Sequence, residues 1–386
     1  MKLRDFFQHT EQISTPAFYF DTDVFHNRVE FVKMELPKIP LTFSIKANPF
    51  LLNCLPDEIR HVEVCSPGEL KICKAYNIPG SRIIYSGVNK EIEDVTEAIE
   101  CGVDIATAES MLHVELEQKA AQKADTKQRV ILRLTSGNQF GMSEEDVLSI
   151  LADHTKYPNL DIYGIHYYSG TQKKKRQIDK DFEKLDAALS RLRERTGFVP
   201  RLVEVGPGFP VNYFNPPYDE SEKAALIENK DTILAFAEKY PLGIEIGRYF
   251  AASCGTYATK VMDVKNNGNI NYVICDGGIH HLKYYGQTLA MQVPEMEILN
   301  TSAEAKPYCI CGSLCTVADV LVREVELPVV SRNDVVLFHR CGAYSVTEGS
   351  ALFLSRKIPE VYLYNEANGL EKMRSFVDTT IINKKE

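Results

Sequence analysis

No stretch of this chain approaches the about eighteen consecutive apolar residues that a membrane-crossing helix needs. The opening Met1-Lys2-Leu3-Arg4-Asp5 lacks the apolar core of a secretion signal, so the expected setting is the cytoplasm, with no membrane partner. No long basic stretch occurs either, and the 386 residues sum to a net charge of −9. That removes the electrostatic footprint of a nucleic-acid binder. The one short basic run, Lys173-Lys174-Lys175-Arg176, reads as a solvated face of a loop. A disulfide framework is not expected, because ten cysteines are thin in a chain of this length. Cys65, Cys73 and Cys275 sit inside apolar runs, as small buried hydrophobes do. Cys311 and Cys315 have no second pair at ligand spacing, so no metal site is expected. Internal repeats, low-complexity segments and flexible linkers are missing as well.

The remaining composition, 44% hydrophobic and 25% charged, is that of an ordinary globular protein. The length allows one large domain and a smaller one. Eight short strand-like runs lie at 41–45, 61–65, 83–87, 103–107, 130–134, 162–168, 202–206 and 243–247. Most gaps between them have helical character, as at 67–78, 90–101, 109–124, 177–195 and 222–240. Eight strand–helix units in about two hundred residues predict an α/β fold, a (β/α)₈ barrel over 26–250. An open doubly wound sheet would want a Gly-rich dinucleotide turn after its first strand, and none is present. Beyond residue 250, runs at 256–264, 271–276, 321–328 and 334–340 are strand-like with little helix between them. They predict a second, mostly β domain from 1–25 plus 251–386, with the early strand 17–21 preceding the barrel.

Lys46 stands out within the segment Leu41-Thr42-Phe43-Ser44-Ile45-Lys46-Ala47-Asn48-Pro49. Leu41, Phe43 and Ile45 share one strand face, and Thr42, Ser44 and Lys46 share the other. A primary amine at the end of a buried strand is desolvated, which favours its neutral form and lets it form a Schiff base with an aldehyde cofactor. A strand-end lysine whose head simply reaches water is the plain alternative. Active sites of such barrels lie at the carboxyl ends of the strands. Those positions here are Lys46, Ser66, Gly87, Glu109, His166, the Gly206-Pro207-Gly208 turn, and Glu245 with Arg248. Gly206 and Gly208 would let backbone N–H groups approach a phosphate. A carboxylate such as Glu245, against a pyridine nitrogen, would keep that nitrogen protonated.

Seven motifs then occur in order: Ser44-Ile45-Lys46-Ala47-Asn48, Glu63-Val64-Cys65-Ser66-Pro67-Gly68-Glu69-Leu70, Gly164-Ile165-His166-Tyr167-Tyr168-Ser169-Gly170-Thr171, Ile244-Glu245-Ile246-Gly247-Arg248, Cys275-Asp276-Gly277-Gly278, Cys311-Gly312-Ser313-Leu314-Cys315 and Gly342-Ala343-Tyr344. Together they resemble the fold-type III pyridoxal-phosphate decarboxylases, the diaminopimelate, ornithine and carboxynorspermidine group. The resemblance covers nearly the whole chain. It implies pyridoxal 5'-phosphate carried on Lys46, Glu245 at the pyridine nitrogen, and phosphate held by Gly206, Gly208 and Tyr344, with Arg248 in support. It also implies a homodimer in which Cys315 reaches the partner's site, near the carbon that is reprotonated.

Departures from the diaminopimelate pattern bear on substrate. Tyr168 stands where those enzymes have the second histidine of a His-x-His, and it can still stack on the cofactor ring. Thr316 replaces an acidic residue, and His280-His281-Leu282-Lys283-Tyr284-Tyr285 replaces a stretch that grips a distal amino-acid head. These variants are similar to a natural-product branch, that of the butirosin glutamyl-carrier-protein decarboxylase. The implied substrate is an amino acid or an aminoacyl group linked to an acyl carrier protein, with His166, His280, His281 and Thr316 as candidate contacts. Diaminopimelate and carboxynorspermidine decarboxylases are alternatives. A racemase of the same fold would place an arginine at the pyridine nitrogen, and a non-catalytic paralogue would not be expected to keep Lys46, Glu245, Arg248, Cys315 and Tyr344.

Overall fold

The computed structural model describes residues 2–10, 13–299 and 304–385. They divide into two compact units, Arg28–Val211 with Glu220–Tyr249, and Met1–Asn27 with Asn212–Asp219 and Phe250–Glu386. In chain order the first half runs α1 (Leu3–His9), β1 (Ala17–Asp21), α2 (Thr22–Glu35), β2 (Leu41–Ser44), β3 (Ile59–Val64), α3 (Pro67–Ala75), β4 (Ile83–Tyr85), α4 (Ile92–Glu100), β5 (Ile105–Ala108), α5 (Met111–Lys123), β6 (Gln128–Leu134), α6 (Glu144–Ala152), β7 (Leu160–Tyr168), α7 (Lys175–Thr196), β8 (Leu202–Gly206), α8 (Tyr218–Lys239) and β9 (Leu242–Ile246).

Strands β2 to β9 close into a parallel barrel, as the alternation of apolar runs and helices predicts. The last strand returns to the first through Leu41↔Ile244, Thr42↔Glu245 and Phe43↔Ile246. These strands are mostly apolar because both of their faces are covered, and β2 is buried at every residue. The helices are bounded by local chemistry. Ser66, Ser110 and Ser143 accept from N–H groups of the first turns of α3, α5 and α6. Gly197 ends α7 in the left-handed region at φ 73°, where a side chain would be strained. Arg28 and Glu222 form a buried ion pair at 2.8 Å, with the guanidinium 4.6 Å from the Tyr249 ring centroid.

The second unit is a nine-stranded sheet. It continues the chain as β10 (Gly255–Asn267), β11 (Ile270–Cys275), β12 (Met296–Leu299), β13 (Ala305–Cys311), β14 (Val320–Pro328), β15 (Val335–His339), β16 (Glu360–Asn365) and β17 (Gly369–Arg374). Its strand order is β14-β13-β11-β10-β1-β16-β17, with β15 on β10 and β12 on β15. β1 therefore lies inside the sheet, antiparallel to β10 and parallel to β16. Phe7, Tyr19 and Tyr362 pack on it, with Tyr19 and Tyr362 stacked at 5.0 Å between centroids.

Candidate active site

Lys46 does not extend β2. It lies on a single 3₁₀ turn, Ile45–Ala47, that begins as the strand ends. Asn48 stops this turn by donating its N–H to the Ile45 carbonyl, and its side-chain oxygen then accepts from Phe50 N at 3.1 Å. The turn directs the amine over the carboxyl end of the barrel. There Lys46 Nζ lies 2.6 Å from Glu63 Oε2, 3.3 Å from Cys65 Sγ and 3.8 Å from Glu245 Oε1. Glu63 and Cys65 come from the next strand by period-two alternation, since β3 pairs in register with β2 and Ser44 faces Glu63.

Glu245 sits near the end of β9 with each oxygen partnered. Ser44 Oγ donates to Oε1 at 3.0 Å, and His166 Nε2 lies 3.2 Å from Oε2. Burial alone would raise this carboxyl, but the Lys46 charge and the His166 hydrogen bond outweigh it and hold the group well below the usual carboxylate range. His166 Nδ1 is buried with no hydrogen-bond partner among the described residues. Cys65 behaves oppositely to a reactive thiol: burial, reinforced by Glu63, pushes it far above its ordinary value, and Lys46 only partly offsets this.

Tyr168 ends β7 beside this group. Burial raises its hydroxyl, while the charges of Lys46 and of Arg248, at the start of a short helix Arg248–Ala251, pull it down. Its ring is the reason Gly206 must be glycine, because a Cβ there would stand 2.5 Å from Tyr168 Cδ2. Gly208 has φ +69°, and a Cβ on it would collide with the Gly170 carbonyl oxygen. The Gly206-Pro207-Gly208 turn is thus bare backbone laid against an aromatic face.

One expectation is corrected nearby. Lys173 is not a solvated member of a basic run, for its side chain is buried, donating to Asp181 Oδ2 at 2.8 Å with Nζ 5.9 Å from the Tyr168 centroid. Asp181 also accepts from Ser169 Oγ at 2.5 Å, so the loop after β7 is tied to α7. Lys173 N donates to the Gly208 carbonyl, which fixes that loop to the glycine turn.

A barrel-end lysine in contact with two carboxylates, a glycine turn against a tyrosine ring, and an ionised glutamate oriented by histidine and serine are the parts of a fold-type III pyridoxal-phosphate enzyme. The residues fit that group, since a lysine amine, a cradle that a Cβ would fill and an orphaned His166 nitrogen converge at one end of the barrel. Residues 23–252 match the family model for the pyridoxal-binding domain of pyridoxal-dependent decarboxylases, and the chain belongs to that family. It is 27% identical to an L-glutamyl-[BtrI acyl-carrier protein] decarboxylase of Niallia circulans, over 96% of this chain and 94% of that protein. It is 24% identical to a diaminopimelate decarboxylase of Bacteroides thetaiotaomicron, over 92% and 96%. In fold it matches the diaminopimelate decarboxylase of Helicobacter pylori complexed with L-lysine, with a TM-score of 0.83, 21% identity, and 99% and 98% of the two chains covered. The chain is accordingly a pyridoxal-phosphate-dependent decarboxylase acting on an amino-acid or aminoacyl substrate.

The barrel unit holds Lys46, His166, Tyr168, Gly206, Gly208, Glu245 and Arg248, whereas Cys315, Thr316, His280, His281 and Tyr344 belong to the β unit. Cys315 is exposed and Thr316 half-buried there. Tyr344 takes the left-handed conformation at φ 68°, uncommon for a tyrosine. His280 and His281 are 1% and 3% exposed, their rings 3.7 Å apart. Burial lowers them to about 4 and about 2, so both are neutral. The residues that reading the sequence did not single out as contacts are Glu63, Cys65 and Lys173. An acid at alternate positions to His61 and Cys65 in the apolar run His61-Val62-Glu63-Val64-Cys65 is the signal that points inward.

Proposed function

We propose that the barrel end removes the α-carboxylate of an amino acid whose distal end is neutral or joined to an acyl carrier protein. The observation that carries this reading is the pairing of acids. Among the described residues, Glu63 and Glu245 face Lys46, Glu109 is bound to Arg133 and Asp181 to Lys173. All four are committed to these partners, so the distal ammonium of diaminopimelate, ornithine or lysine would find none of the four unpaired. The printed activity of the Niallia circulans relative, on a glutamyl group borne by a carrier protein, points the same way.

When bound, the pyridoxal group supplies an aldehyde for covalent attachment and a protonated ring that accepts the electron pair left by departing carbon dioxide. Lys46 is the attachment point, and Glu63 at 2.6 Å balances its charge whenever the amine is released. Glu245, kept ionised and held by Ser44 and His166, holds the ring proton in place. Tyr168 offers a face for stacking, the Gly206–Gly208 backbone takes the phosphate, and Arg248 adds positive charge. We assign reprotonation of the α carbon to Cys315 from a second copy of the chain, and substrate contact to His166 and Thr316. His280 and His281 are left out of the substrate set because both are neutral and enclosed in their own unit.

Carbon dioxide release from free glutamate, carrier-linked glutamyl thioester, meso-diaminopimelate, ornithine and lysine tests the substrate. A kcat/KM highest for diaminopimelate or another diamino acid would refute the reading. Shared sites are tested by mixing inactive Lys46→Ala and Cys315→Ala chains. Random re-pairing should restore about a quarter of the wild-type rate, through one intact site in each mixed dimer. No recovery would mean that Cys315 does not serve the site of a second chain.

A further inference from the structure

The opposite end of the barrel, where the strands begin, encloses a cavity of about 870 Å³. Its wall is basic. The Tyr163 ring is flanked by the guanidinium groups of Arg129 and Arg201, with 5.2 and 4.6 Å to its centroid. Those two cations are spent on Asp104 and Asp161. Lys38 and Arg60 also line the cavity, and among the described residues neither is engaged in an ion pair. Ile39, Leu234 and Ala237 add apolar wall.

Glu204 forms the inner limit of this space. It is 2% exposed, and its Oε1 has no hydrogen-bond partner among the described residues. Its carboxyl occupies the place that a side chain at Gly243 would fill, since a Cβ on Gly243 would collide with Glu204 Oε2. Gly243 and Glu245 share a strand face two residues apart, so Glu204 lies one layer beneath the glutamate of the active end. Burial, together with the charges of Glu245 and Glu63, pushes its carboxyl up to about 8, which leaves a neutral acid near pH 7. A buried acid oxygen without a partner is costly in a fold that gains nothing from it.

We propose that this cavity is a second binding site, for an anionic small molecule with an aromatic or apolar body, its anion held by Lys38 and Arg60 and its body packed against Ile39, Leu234 and Ala237 above Glu204. The ligand enters from the end of the barrel that the decarboxylation does not use. Its inner end would press on the layer that carries Glu245, which gives the site a route to influence turnover.

Titration calorimetry of the holoenzyme with naphthalene-2-sulfonate, and with naphthalene-2-methanol as the uncharged control, tests this. One sulfonate should bind per chain, and the alcohol at least about tenfold more weakly, as expected for loss of a charge-assisted contact. Lys38→Gln with Arg60→Gln, both exposed and remote from Lys46, should lower sulfonate affinity by about tenfold or more without changing the melting temperature. The sulfonate should bind with the cofactor still attached, so the cofactor absorbance of the holoenzyme should not fall during the titration. Absence of saturable binding, equal affinity in the double variant, or release of the cofactor as the sulfonate binds would each overturn the proposal.

Discussion

Replacing Glu245 with glutamine tests the electrostatics of the active end directly. The substitution keeps the outline of the side chain and an acceptor for Ser44 Oγ, 3.0 Å away, but removes the charge and turns an amide towards His166 Nε2, now 3.2 Å from an oxygen. His166 accommodates this by changing tautomer, because its Nδ1 has no hydrogen-bond partner among the described residues. Two unit charges at the 3.8 Å separation of Lys46 and Glu245 interact by about 4 kcal/mol at an effective dielectric constant of about 20. The Lys46 side chain is 39% exposed, so screening reduces the contribution to stability to about 1–2 kcal/mol. Catalysis suffers more, since a preorganised charge aimed at the reacting system contributes about 10²–10³ in kcat. The assay is carbon dioxide release at saturating substrate, with cofactor content measured after release in alkali. Full cofactor content, KM within about threefold and kcat lowered by about 10²–10³ are expected. A fully loaded Glu245→Gln enzyme that kept its turnover would refute the role given to this carboxylate.

Arg28→Ala should cost about 3–5 kcal/mol in denaturant unfolding, because Glu222 is left charged and 2% exposed, and a loss below about 1 kcal/mol would contradict the ion pair's role. Glu204→Gln should stabilise the protein at pH 8 and leave it unchanged at pH 4. The unfolded chain releases this proton near 4.5 and the folded one only at about 8, so the wild type loses stability as pH rises across that window. A melting-temperature difference that does not grow from pH 4 to pH 8 would refute this. Gly206→Ala places a Cβ 2.5 Å from the Tyr168 ring, an overpacking of about 1–3 kcal/mol. Equilibrium dialysis should show weaker pyridoxal 5'-phosphate binding by about tenfold, and unaltered binding would detach the turn from the cofactor.

The barrel was legible because its strands are covered on both faces and read as short, mostly apolar runs, such as Val130-Ile131-Leu132 within β6. The β unit was legible only in part. β17 is a half-exposed edge with Glu371 and Lys372 in its middle, and β13 begins Ala305-Lys306-Pro307, so neither carries a continuous apolar signal. α6 was missed as a helix although Ser143 and Asp146 form a reciprocal cap, a short local signal between longer elements. Lys46 and Glu245 stood out in the sequence because each falls at or just past the carboxyl end of a strand, where position alone suggests chemistry. Lys173 was misjudged because charge density along the chain says nothing about which member of a run finds a buried partner. That information lies in Asp181, eight residues away on another element.

The place of β1 in its sheet has a consequence for biogenesis. Ala17–Asp21 pairs on one side with residues near 256 and on the other with Glu360–Tyr364. At about 5–20 residues per second of synthesis, the strand waits about 20–70 s for its second neighbour to leave the ribosome. Throughout that interval Phe18, Tyr19 and Phe20 are a sticky hydrophobic tape with an open edge, made before the barrel and closed up after it. Nascent chains of this protein are therefore most in need of a chaperone at their very first strand, long after the ribosome has moved past it.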